Sequence, residues 1–172
     1  PLVAIPVFPS RVFRHSAIYV RADAGIKEPA DLRGKRVGVP KYHMTAAVWI
    51  RGILEDEYGV APKDLLWFEG GERSQMKEVD IQLPPAIRVT KVPGDWNFAE
   101  MLEAGELDAL VGARRPAPFA AGSPRIRRLF PNFREVERAY YQKTGLFPIM
   151  HTVVIREELV RQNPWLPRNL YQ

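Results

Sequence analysis

Asp31-Leu32-Arg33-Gly34-Lys35-Arg36-Val37-Gly38-Val39-Pro40, followed by Lys41-Tyr42-His43-Met44-Thr45-Ala46-Ala47, decides the reading of this chain. Arg36 to Val39 is a short buried strand, the next residues are a tight turn, and a helix opens at Thr45. That order places free backbone N–H groups and the positive end of a helix dipole at the C-terminal edge of the strand. Such an edge seats an anionic group. Thr45 reads as the N-cap of the helix.

Working outward, Ala46, Trp49, Ile50, Ile53 and Leu54 recur at helical spacing, and Gly59 fits the left-handed position that ends the helix. Leu65-Leu66-Trp67-Phe68 is a second apolar run, read as a parallel neighbour of the first strand. Glu69 to Pro85 is polar and reads as a surface flap, with Gly70 and Gly71 as a turn. Ile87 to Val92 is the next strand. Asn97 and Glu100 have capping-box spacing, the helix ends at Gly105, and Leu107 to Val111 completes a second βαβ unit. Leu2 to Phe8 and Ala17 to Val20 are strand-like, Pro131 to Lys143 is helical, and Met150 to Ile155 is a last strand. Pro164 and Pro167 divide the remainder into two helical pieces. The fold class is α/β, with a mixed, mainly parallel sheet flanked by helices.

A chain of 172 residues buries a real core and is about one domain in length. It opens at Pro1 on strand-like residues and stops at Gln172 on helix-like ones, which reads as a piece of a longer protein. No apolar run approaches the ~20 residues of a membrane span. There is no cysteine, so disulfides and thiolate metal sites are excluded. The net charge of +5 suits an anionic partner, although most of these charges read as a solvated surface. Arg125-Ile126-Arg127-Arg128 is too short a basic cluster for nucleic acid, and no partner of that kind is expected.

Four separated motifs carry a resemblance: "IPVFPSRVFRHSAIYV", "GKRVGVPKYHMTAAVWIRGILEDEYGV", "RRLFPNF" and "TGLFPIMHTVVIR". In this order they resemble the 4,5-dihydroxyphthalate decarboxylase family, on a type 2 periplasmic-binding-protein-like fold. "MLEAGELDAL" is similar to a recurrent helix–strand element of that fold. The resemblance implies two α/β lobes with a ligand cleft between them. It implies a crossover strand and remnant of the first lobe over residues 1–25, a complete second lobe over 26–147, and a return crossover with the first helices of the other lobe over 148–172. At the anion-seat turn the family pattern is Glu-Tyr-Gln, where this chain has Lys41-Tyr42-His43.

The implied reaction is loss of CO2 from a dihydroxylated phthalate without a cofactor, in the cytoplasm. It needs cations for two carboxylates, a base near a phenol and an acid near a ring carbon. The candidate proton-transfer residues are His15, His43 and His151, with His15 and His151 expected on neighbouring crossover strands. Arg11, Arg14, Ser16, Tyr42, Thr45, Ala46, Arg114, Arg115 and Thr152 are the candidate substrate contacts; Arg114 and Arg115 follow a strand at the end where open α/β sheets bind ligands. The expected partner is a small anionic aromatic substrate. No His pair at helical spacing supports a metal. The alternative reading is a periplasmic solute-binding protein that delivers an organic anion to an ABC transporter.

Overall fold

The computed structural model describes residues 1–70, 82–93 and 95–172. Two sheets organise them. Strands β1 (Leu2–Arg11) and β8 (Ile149–Arg156) form an antiparallel ribbon, and six strands form a main sheet. The main sheet is built from β2 (Ile18–Arg21), β3 (Arg36–Val39), β4 (Leu66–Glu69), β5 (Val89–Lys91), β6 (Ala109–Val111) and β7 (Ile126–Arg128), in the order β5-β4-β3-β6-β2-β7. β3 is parallel to β4 and β6, and β4 to β5; β2 runs antiparallel to both β6 and β7. The expected βαβ units are therefore present.

The Asp31–Ala47 stretch folds as its sequence requires. Val37 and Val39 are fully buried, and α1 (Thr45–Tyr58) lays Ala46, Ala47, Ile50, Ile53 and Leu54 into the core. Gly59 closes α1 in the left-handed region (φ 64°), so that its amide and that of Val60 satisfy the carbonyls of Glu55 and Leu54. Gly38 is required by packing: a Cβ there would lie 2.8 Å from Leu107 Cδ1 and 3.0 Å from Phe98 Cδ2. Phe98 and Leu102 of α2 (Phe98–Ala104) share a buried cluster with Leu107, Tyr19 and Ile126, on the other side of β3 from α1's contacts with Val37 and Val39. Asn97 Oδ1 caps α2 by accepting the amides of Ala99 and Glu100.

α3 (Ala117–Ala120) and α4 (Phe133–Thr144) follow β6 and β7, and α5 (Glu157–Gln162) and α6 (Leu166–Tyr171) complete the chain as the two expected pieces. Most of the expected flap, Gly71 included, lies outside the described residues.

Two placements differ from the sequence reading. The segment expected to hold one crossover strand, residues 1–25, is divided. The strand that pairs with β8 is Leu2–Arg11, His15–Ala17 is a 3-10 turn, and Ile18–Arg21 belongs to the main sheet, which therefore begins before residue 26. The second difference is the cap of α1. Met44 occupies the N-cap position with no side-chain cap, and Thr45 is the first helical residue, exposed. Met44 is extended at φ −62°, ψ 142°, and its carbonyl already accepts from Val48, so the helix starts one residue earlier than a Thr45 cap requires.

Candidate functional site

Parallel strands β3, β4 and β6 end together, at Val39, Glu69 and Val111. Antiparallel β2 starts at the same edge, since Ile18 pairs with Val111. The segments His15–Ala17, Pro40–Met44, Gly70 and Gly112–Pro116 therefore all meet the C-terminal edge of the sheet, where open α/β folds bind ligands.

The turn before α1 is anchored from below. The Tyr42 amide donates to Glu69 Oε2 at 2.7 Å, and the Tyr42 carbonyl accepts from Arg51 Nη1 at 2.6 Å. The Arg51 guanidinium lies 3.7 Å from the centre of the Tyr42 ring, whose edge also meets Trp67 at 5.4 Å. Tyr42 is thus a buried packing residue rather than a stacking surface for a substrate. Burial raises its phenol pKa, against the charge of Arg51. Lys41 Nζ lies 3.8 Å from Glu69 Oε1. Held this way, the turn presents half-buried His43, exposed Thr45 and the start of α1, which has no side-chain cap.

Ser16 is held in the same manner. Its amide donates to Glu137 Oε1 at 3.0 Å, and its carbonyl accepts from Arg128 Nε at 3.0 Å. Arg114 and Arg115 are exposed on the loop after β6.

The other candidates occupy different settings. His15 is fully buried, edge-on to Phe130, Tyr140 and Tyr58 at 5.3, 5.2 and 6.3 Å. Burial pushes its pKa down to about 4, against the pull of Glu57. His151 is exposed on β8 opposite Ser10, while its neighbour Met150 is buried. Neighbouring residues of a strand face opposite ways, so the ribbon turns His151 away from the Arg14–Met150 contact. No hydrogen bond or ring contact joins the two histidines among the described residues. Arg14 is itself buried, with Nε donating to Met150 Sδ at 3.1 Å. Arg11 stacks at 4.4 Å on Phe147 and donates to its carbonyl. Thr152 Oγ1 donates to the carbonyl of Ile5 at 2.8 Å and also contacts that of Val7. It bridges the stretch where Pro6 and Pro9, which lack an N–H, interrupt the β1–β8 ladder.

Glu69, Arg51, Glu137 and Arg128 were not among the residues singled out from sequence. Glu69 left one signal, a carboxylate directly after the buried run Leu65–Phe68. No group of three or more histidine and carboxylate side chains suited to a metal occurs among the described residues. No helix there is long and apolar enough to cross a membrane.

Fold comparison places the architecture among periplasmic binding proteins. The periplasmic aliphatic sulphonate binding protein SsuA from Escherichia coli superposes with a TM-score of 0.55 at 15% identity, over 98% of this chain and 43% of that one. A family model described as NMT1/THI5 like matches residues 11–83. At the level of sequence, the chain is similar to two 4,5-dihydroxyphthalate decarboxylases. The protein from Comamonas testosteroni is 44% identical over 97% of this chain, and the one from Pseudomonas putida is 44% identical over 76%. The resemblance carried by the four motifs thus extends over nearly the whole chain. The chain spans about half the length of these relatives, 51% of each.

Proposed function

We propose that the chain is part of a cofactor-independent decarboxylase that converts 4,5-dihydroxyphthalate to protocatechuate and CO2. The observation that carries this reading is the 44% identity over 97% of the chain to a decarboxylase of that name.

The site is the C-terminal edge of the main sheet, in a cleft completed by a second lobe. One substrate carboxylate rests on the first-turn amides of α1, at Thr45 and Ala46, and Arg114 or Arg115 holds the other. His43, half-buried beside that helix terminus, is the proton-transfer group, and exposed His151 supplies a second imidazole from the ribbon. Each carboxylate of the substrate is para to a hydroxyl. Loss of the phenolic proton directs electron density to the carboxylate-bearing carbon, which takes a proton. The bond to CO2 then breaks, its electron pair stays in the ring, and aromaticity returns. His15, shielded from solvent, and Arg14, engaged by Met150, support the site from behind.

The test is incubation of the protein, in the longest form its gene encodes, with 4,5-dihydroxyphthalate, following CO2 and protocatechuate. Turnover is the expected result. Saturable binding of an aromatic dicarboxylate without turnover would replace the enzyme with a solute-binding protein that uses the same cleft.

A further inference from the structure

The turn that carries His43 is closed by a hydrogen bond from the Met44 amide to the Lys41 carbonyl at 3.1 Å. Tyr42 and His43 are its two central residues. That bond leaves out the peptide joining them, whose carbonyl is satisfied from elsewhere. Arg51, on the second turn of α1, does this: Nη1 donates to the Tyr42 carbonyl at 2.6 Å.

The guanidinium holds Tyr42 twice, because its Cζ also lies 3.7 Å from the centre of the buried Tyr42 ring and 6.0 Å from that of Trp67. Burial works against this charge and lowers the Arg51 pKa, and among the described residues no carboxylate forms an ion pair with it. A half-buried cation is costly unless it is well hydrogen-bonded, and the bond that Arg51 makes goes to the turn.

A peptide unit is planar, so fixing the Tyr42 carbonyl also fixes the His43 amide and Cα, with the His43 N–H turned away from Arg51. Glu69 fixes the preceding peptide through the Tyr42 amide. The backbone from which the His43 imidazole projects is thus held by Arg51 as well as by the turn's own hydrogen bond.

We propose that Arg51 is the positioning residue for His43: by holding the Tyr42–His43 peptide it sets where the imidazole meets the substrate, without touching the substrate itself. This rests on the decarboxylase reading and deepens it. Were Arg51 only packed on Tyr42 and Trp67, its loss would alter stability and leave turnover by the folded protein intact. A misplacement of about 1 Å at a reacting group costs up to about 10²-fold in rate.

The test compares Arg51→Met, Arg51→Lys and the core control Ile53→Val, each in the longest form of the protein that its gene encodes, with 4,5-dihydroxyphthalate as substrate. Arg51→Met keeps an apolar stem over Tyr42 and removes the donor. Its kcat is expected to fall about 10–100-fold, with KM changed less than about threefold. Arg51→Lys keeps a cationic donor but cannot stack and bond at once, so it should lose activity, though less than Arg51→Met. Ile53→Val, buried on the same helix, should lower the urea midpoint and leave kcat unchanged. An unchanged kcat in Arg51→Met would overturn the proposal, as would equal losses in the two Arg51 variants or an equal loss in Ile53→Val. A second readout needs no turnover: the His43 backbone ¹⁵N–¹H signal should shift and broaden in Arg51→Met and lie nearer the parent position in Arg51→Lys. An unmoved signal would also overturn the proposal. A parent protein without turnover would refute the decarboxylase reading instead, and the His43 signal would then decide the positioning alone. Should Arg51→Met fail to fold by circular dichroism, Arg51→Lys decides, and an unchanged kcat and His43 signal in it would count against the role.

Discussion

Arg128 donates from Nε to the carbonyl of Ser16 at 3.0 Å, while the Ser16 amide donates to Glu137. Tyr42 repeats the arrangement, with Glu69 on its amide and Arg51 on its carbonyl. In each of these turns a carboxylate takes the N–H and a guanidinium takes the C=O of one residue. Neither backbone group has a strand partner, so side chains from elsewhere in the fold satisfy them. Both turns lie at the edge proposed to bind substrate.

Arg128→Met is expected to lower stability by about 1–3 kcal/mol. It removes the bond to Ser16 and the guanidinium's contacts with Phe133 at 4.7 Å and Phe119 at 5.1 Å. Urea denaturation gives the value. An unchanged midpoint would mean that the 3-10 turn is held by other contacts.

At Glu69, two substitutions separate backbone anchoring from charge. Glu69→Ala leaves the Tyr42 amide without its acceptor and should destabilise by about 1–3 kcal/mol. Glu69→Gln keeps an acceptor oxygen but removes the negative charge near Lys41, so it should retain most of the stability and bind anionic aromatics more tightly. Calorimetric titration with phthalate against both variants checks this; weaker binding by Glu69→Gln would contradict the charge argument.

Asp108 gives a pH dependence on the acid side. Burial alone would raise its pKa, but the side-chain and backbone hydrogen bonds from Arg36 outweigh it and hold the carboxyl below the ordinary 3.8. Its contribution is therefore fully present above 3.8 and is lost as pH falls through the depressed folded value. Asp108→Asn should cost about 1–2 kcal/mol at neutral pH, discounted because Arg36 is 40% exposed. The difference from the parent protein should shrink on acidification, as followed by denaturant titration at stepped pH.

His15 titrates in a higher window. With a folded pKa of about 4 against 6.5 for the free side chain, the unfolded chain binds the proton first. Stability is therefore expected to fall as pH drops from 6.5 towards 4, by at most about 3 kcal/mol, and to level off below that for this group. His15→Phe should flatten this part of the profile. A parent profile without a slope there would place the imidazole in contact with solvent.

For the proposed reaction, His43→Ala is expected to lower kcat by about 10²–10⁴ with a smaller effect on KM, the mark of a proton-transfer group. Steady-state assay of protocatechuate formation measures both. An unchanged kcat would remove His43 from the role and leave His151 as the accessible imidazole.

Much of the architecture was legible without coordinates. Arg36–Val39, Leu65–Phe68 and the Ala46–Leu54 face of α1 are local apolar patterns, and Gly59, Gly105 and Gly145 end helices because each needs positive φ, which only glycine adopts readily. Asn97 caps α2 through neighbours two and three residues away. All of these features are fixed by contacts within a few residues, so a short window of chain contains the whole cause.

The candidate site was less legible because its contacts are long in sequence. Glu69 lies 27 residues from Tyr42, and Glu137 lies 121 from Ser16. Nothing within either turn says which carboxylate will reach it. The three histidines look alike in sequence, yet packing against Phe130 and Tyr140 buries His15, and the register of β8 against β1 leaves His151 exposed. Local propensity is thus enough for most of the elements and for the sheet edge proposed to receive a ligand. Which side chains face that edge, which are sealed behind it, and which charges hold its turns depend on desolvation and on distant partners, and those exist only once the chain has folded.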